Sequence, residues 1–268
     1  TLATKQPAMT AATLAQNLGE DMAAKNGYSN LAALVSRVFR SQFIAFTGNV
    51  LMAFPVALIM MIGYQYFFGL NASEHKAAVM IYDINIFNSP AIFHAAIAGL
   101  FLFISGLIAG NVANRNKNKQ IPDRIRAHPL LKNVISQYRL NKFADFIDQY
   151  WPGIVSNFWF GVFMGSTSTI GFFFGLNLDV RHITFAAGNF ALALHGLSYS
   201  ISGYDILHSI LGIGIIGFVN FSVSFFLSLF LALRSRGIPL HILTEILHAI
   251  KDLFKRRPGT FIYPSQSE

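Results

Sequence analysis

The chain alternates between long apolar stretches and short polar, mostly basic segments. A helix crossing a hydrocarbon core of about 30 Å needs about 20 mainly apolar residues. Four stretches meet that length: Phe43–Phe68, which contains Asn49 and Pro55, then 89–110, 154–176 and 206–233. None contains Asp, Glu, Lys or Arg, as expected when a charge at the bilayer centre costs about 2.5–3.5 kcal/mol. A fifth apolar stretch, 183–197 (ITFAAGNFALALHGL), is short for a span. It is expected to be a re-entrant or half-inserted helix packed against protein, with a buried periplasmic helix as the alternative. Residues 138–150 and 239–254 have helical spacing of apolar positions. The second ends in Lys251, Lys255, Arg256 and Arg257 and reads as an amphipathic helix on the membrane surface or packed on other cytoplasmic helices. The predicted class is all-α: a polytopic transmembrane helical bundle of about four spans, with a re-entrant or half-inserted element and cytoplasmic amphipathic helices.

Composition agrees with this pattern. Hydrophobic residues make up 53% of the chain and charged residues 12%, where a soluble domain carries about 25% charge. This excludes a disordered chain, a coiled coil and an ordinary cytosolic enzyme. The 20 basic residues are unevenly distributed. Four precede the first span, eight lie between the second and third, and six follow the fourth; the two remaining connections hold Lys76 and Arg181. Basic loops stay in the cytoplasm, so a multi-pass protein of the bacterial inner membrane with both termini cytoplasmic is predicted. The segments are 1–42 (cytoplasmic), 43–110 (two spans), 111–153 (basic linker), 154–233 (two spans with 183–197 between them) and 234–268 (cytoplasmic helix and tail).

Candidate chemistry concentrates in the run 177–189, NLDVRHITFAAGN. Ionisable residues beside a membrane-inserted element mark a functional site by default. Asp179, Arg181, His182 and Asn189 are the candidate ligand-binding set: Asp can orient His, and Arg can hold an anion such as a lipid phosphate bidentately. The competing reading is an anchor cluster that fixes the short apolar segment. Asp179 and Arg181 can pair only outside helical geometry. Asn157, the 166–169 run STST, and Asn220 with Ser222 and Ser224 lie inside spans, where such groups usually hydrogen-bond between helices. Glycines such as Gly99, Gly106, Gly165 and Gly217 permit close helix contact. His195 and His208 flank the same loop as His182, but their spacing with Asp179 or Asp205 is not diagnostic of metal. With no cysteine and no phosphate-binding or nucleophile motif, no metal or other cofactor is expected and no catalytic residue is assigned.

The runs TLATKQPAMTAATLA, NRNKNKQIPDRIRAHPLL, GFFFGLNLDVRHITFAAGNFALAL and GFVNFSVSFFLSLFLALRSRG resemble a bacterial integral-membrane family bearing the name site-specific recombinase (Gcr-like). The resemblance covers nearly the whole chain. It implies that these residues form the C-terminal portion of a longer protein with further spans upstream. A recombinase needs a nucleophile and clustered arginines facing DNA, whereas the cluster around Arg181 is predicted on the non-cytoplasmic side. The expected function is therefore handling or transport of a lipid or other anionic ligand. The alternatives are a structural or assembly subunit and a membrane enzyme acting on a lipid-linked substrate. Expected partners are membrane lipids and other membrane proteins or an upstream region of the same protein; nucleic acid is not expected.

Overall fold

A computed structural model describes residues 29–239 together with Thr244, His248, Lys251, Asp252, Phe254 and Lys255. Every regular element among the described residues is helical. Helix α1 spans Ser29–Phe68, a 3-10 turn spans Glu74–Lys76, and α2 spans Ala77–Ile84. Then follow α3 (Ala91–Asn118), α4 (Ile121–Ala127), α5 (Pro129–Val134), α6 (Gln137–Phe174), α7 (Ile183–Gly196) and α8 (Gly203–Ser235).

The long helices outrun their apolar stretches. The expected first span is the apolar part of α1, and α3 continues past Gly110 through Arg115 and Lys117. Most of the expected linker 111–153 is helical, because Pro122 and Pro129 sit in first turns, where a missing N–H costs nothing. The expected surface helix 239–254 lies largely outside the described residues, as do Arg256, Arg257 and the segment 1–28. Lys251 and Lys255 are helical and exposed.

Three helices among the described residues are long and apolar enough to cross a membrane: Phe43–Phe68, Ala91–Asn118 and Gly203–Ser235, with mean hydropathies of 2.0, 2.2 and 2.2. In α6, Asn157 and the Ser and Thr residues of 166–169 dilute the apolar character. Its position is nevertheless clear from its contacts. Asn116 Nδ2 donates to Ile147 O, Ser156 Oγ donates to Ser105 O at 2.6 Å, Phe101 packs on Phe163, and His94 Nε2 lies 3.1 Å from Asn177 O. These contacts run α6 antiparallel to α3 along most of its length.

Helices α3 and α8 run parallel, as close as glycine allows. A Cβ on Gly99 would lie 2.7 Å from Val223 Cβ and 3.0 Å from Asn220 O. Helix α1 lies at the edge of the bundle and packs mainly on α7, through Phe54 against Phe190 and Ala57 against Gly188.

The chain between α6 and α7 folds back on itself. Gly175 turns it in the left-handed region (φ +63). The arm 176–182 then runs back along α6, with Leu178 on Gly171 and Val180 clustered with Met164 and Ala98. At His182 the chain reverses again into α7. The 14 residues of α7 rise about 21 Å at 1.5 Å each and return to Ser73 and Ala77, which Gly196 touches. The extended arm and the returning helix are held inside protein, packed against α1, α3, α6 and α8.

Candidate functional site

Two features meet at this reversal: a polar knot and an apolar cleft.

Asn220 forms the knot. It is 1% exposed, midway along α8. Its Nδ2 donates to Ala95 O at 2.8 Å and to Arg181 O at 2.9 Å, while its Oδ1 accepts from the Ile183 N–H at 3.1 Å. One amide thus joins α8, α3, the end of the descending arm and the start of α7. The first N–H groups of a helix have no partner within it, and Asn220 supplies one to α7. Ile183 also covers Gly217, where any Cβ would clash with its side chain.

Arg181 sits beside the knot, nearly buried, with 11% of its side chain exposed. Its Nη2 is 2.8 Å from Asp83 Oδ2 and its Nη1 is 2.5 Å from Asp179 Oδ2. Its Nε–H donates to Asp83 O and its backbone N–H donates to His94 O. Asp179 also accepts from Ser168 Oγ and from the Val180 N–H. The pairing occurs in extended backbone, the geometry that Asp179 and Arg181 require. Two carboxylates around one guanidinium leave a single negative charge in excess, and the guanidinium's donors point into the protein.

The structure therefore brings Asp179 and Arg181 together and leaves the other two candidates apart from them. His182 is buried between Phe160 and Phe185, its ring edge-on to both. Asn189 is half-buried nearly two turns up α7. Asp83, on α2 and 98 residues before Arg181, is the partner that sequence spacing gave no means of finding. His195 contacts Tyr199, and His208 contacts Tyr204 and Phe87. Among the described residues, no three His, Asp or Glu residues are placed to hold a metal ion.

The cleft lies between α1 and α8, with α7 as its back wall. Its volume is about 540 Å³. Phe43, Phe46, Val50, Leu51 and Phe54 form one side; Ile213, Gly214, Phe218 and Phe221 form the other; Ile183, Ala187 and Phe190 close the rear. Thr47 contributes the one polar side chain of the lining, and its hydroxyl donates back to Phe43 O. The cleft lies where α7, which begins opposite the middle of α8 at Gly217 and Asn220, leaves the space between α1 and α8 unfilled. These residues carry no polar chemistry; the apolar spacing 43, 46, 50, 54 along one face of α1 is the sequence signal that marks them.

Away from this site, Arg126 lies between Asp145 and Asp123 at 2.5 and 2.6 Å. The hydrogen bond that it donates to Asp145 foremost, with that to Asp123, holds its guanidinium above its ordinary pKa. This clasp ties α4 to the N-terminal part of α6.

Long apolar helices, a doubled-back element at their centre and a hydrocarbon-lined cleft define an integral-membrane helical protein. The model of the family named site-specific recombinase matches residues 1–264, and the chain belongs to that family. No curated protein and no solved structure matches the chain.

Proposed function

We propose that this chain is a four-span protein of the bacterial inner membrane, with both termini cytoplasmic, that handles a membrane lipid by taking its hydrocarbon chain into the cleft between α1, α7 and α8. The cleft carries the reading. Its lining is apolar apart from one internally bonded hydroxyl, and its volume lies within the roughly 300–1,000 Å³ range of small-molecule sites. Its mouth is continuous with exposed apolar residues of two span helices, among them Ile44, Leu51, Ile210 and Phe218. That surface faces lipid. The alignment of α6 with α3 supports the fourth crossing. Exposed aromatics at the two ends of the apolar stretch of α6, Tyr150 and Trp151 at one and Phe172 to Phe174 at the other, match the enrichment of aromatic residues near interfaces.

Recognition falls to the lipid's chain. Arg181 is already held by two carboxylates, and no charged group lines the cleft. Native mass spectrometry of protein extracted gently from its membrane tests this reading. Gly214 opens onto the cleft with free space at its Cβ position, so Gly214→Leu fills the cleft without disturbing the bundle. The wild type should carry lipid, and Gly214→Leu should lose it while Arg181→Ala, if folded, keeps it. Equal lipid on wild type and Gly214→Leu would refute the cleft as the site.

A second reading, assembly with other membrane proteins, draws on α1. The most apolar part of its span contains no fully buried residue, and Met52, Ile59 and Met60 are about two-thirds exposed. Retention of a protein partner without lipid, lost on a bulky change at Met52 or Met60, would favour it.

A further inference from the structure

We propose that the cleft selects lipids by acyl-chain length, with the Phe54–Phe190 ring pair as the stop. This deepens the lipid reading and rests on it. Along α1 and α7 the lining of the cleft ends at Phe54 and Phe190. Their rings lie 5.7 Å apart and join α1 to α7, and beside them the two helices touch, Ala57 Cβ lying 4.0 Å from where a Gly188 Cβ would be. At the other end Phe43 and Ile44 are exposed, by 51 and 65%. A chain enters there and lies along Thr47, Val50 and Phe218 until its terminal methyl meets the rings.

The charge asymmetry places the open end toward the cytoplasmic half of the bilayer, so the occupant is a lipid of the cytoplasmic leaflet. Its headgroup stays outside the cleft. Solution in the bilayer already satisfies a lipid's hydrophobicity, so length discrimination comes from fit. A chain too long for the cleft must displace packed rings, an overpacking cost that lowers its occupancy about fivefold or more.

The test uses the full chain in micelles with a lysolipid ladder from lauroyl to stearoyl, offered as equimolar mixtures and read by native mass spectrometry. Lysophosphatidylglycerol and lysophosphatidylcholine are run in parallel. Wild type should prefer one length and hold stearoyl about fivefold less than the best chain. Phe54→Ala should move the preference to longer chains, and Phe190→Leu should do so more weakly. Gly214→Val should move it to shorter ones. The order should be the same for both headgroups. Variants shifted in opposite directions cannot both be explained by misfolding. Retention that ignores chain length, or follows headgroup, overturns the length stop but leaves a lipid site in place. No lysolipid retained by any version overturns the lipid reading itself.

Discussion

Replacing Asn220 by Leu removes the group on which the doubled-back segment is tied. Three hydrogen bonds go, and they differ in weight. Ala95 lies inside α3, where its carbonyl keeps the helical bond, so its loss is small. The Ile183 N–H and the Arg181 C=O have no such second partner and remain buried. An unsatisfied buried group costs about 1–3 kcal/mol, while hydrogen bonds between membrane helices measure about 0.6 and at most about 1.7 kcal/mol. Two orphaned groups on those scales give a destabilisation of about 2–4 kcal/mol. Leu is close to Asn in size, so a cavity adds little. The assay is reversible unfolding of purified protein in mixed micelles, with hydrogen exchange along 176–186. Asn220→Leu should lower stability by about 2–4 kcal/mol and should open 176–186 before the rest of the bundle. Ser224→Ala is the control: it lies one turn further along the same face, buried, with a hydroxyl that has no partner, and it should cost under about 0.5 kcal/mol. Equal effects of the two changes, or uniform loss of protection along the chain, would refute the knot.

Other consequences follow from the same geometry. Gly217→Ala should destabilise by about 1–3 kcal/mol because its Cβ overlaps Ile183, while Gly214→Ala should be near neutral in the same unfolding assay. Asp83→Asn or Asp179→Asn alone leaves Arg181 one carboxylate and should cost about 1 kcal/mol. The double change leaves a buried guanidinium unpaired and should cost about 3–5 kcal/mol, so a double-mutant cycle should be strongly non-additive. The chain has no cysteine, so single cysteines report topology directly. Lys119→Cys should react with an impermeant maleimide only from the cytoplasmic side and Ser200→Cys only from the other; labelling of both from one side would contradict an odd number of crossings between them.

Three of the long apolar helices were legible because apolar runs and charge exclusion are one-dimensional signals. The 183–197 segment was legible as a separate short apolar element, which the structure has as α7. The finer site was less legible. Asp179 and Arg181 were visible as neighbours, but Asp83 reaches them only through the packing of α2 against α7 and α8. His182, chosen for its chemistry, turns into an aromatic cage because the chain must be extended there to reverse. Asn220 read as a polar residue inside a span; that it ties four pieces of chain together is a property of three dimensions. The cleft was hidden for a related reason: a void between helices depends on how far α7 reaches, and apolar composition does not encode that.

The central claim is that the space α7 leaves between α1 and α8 holds a lipid chain. An electron cryomicroscopy reconstruction of the full chain in nanodiscs of its own membrane lipid tests it most directly. The account predicts elongated density along Val50, Leu51 and Phe218, ending at the Phe54 and Phe190 rings. A reconstruction in which α1 closes onto α8, or a protein helix fills the cleft, would contradict it.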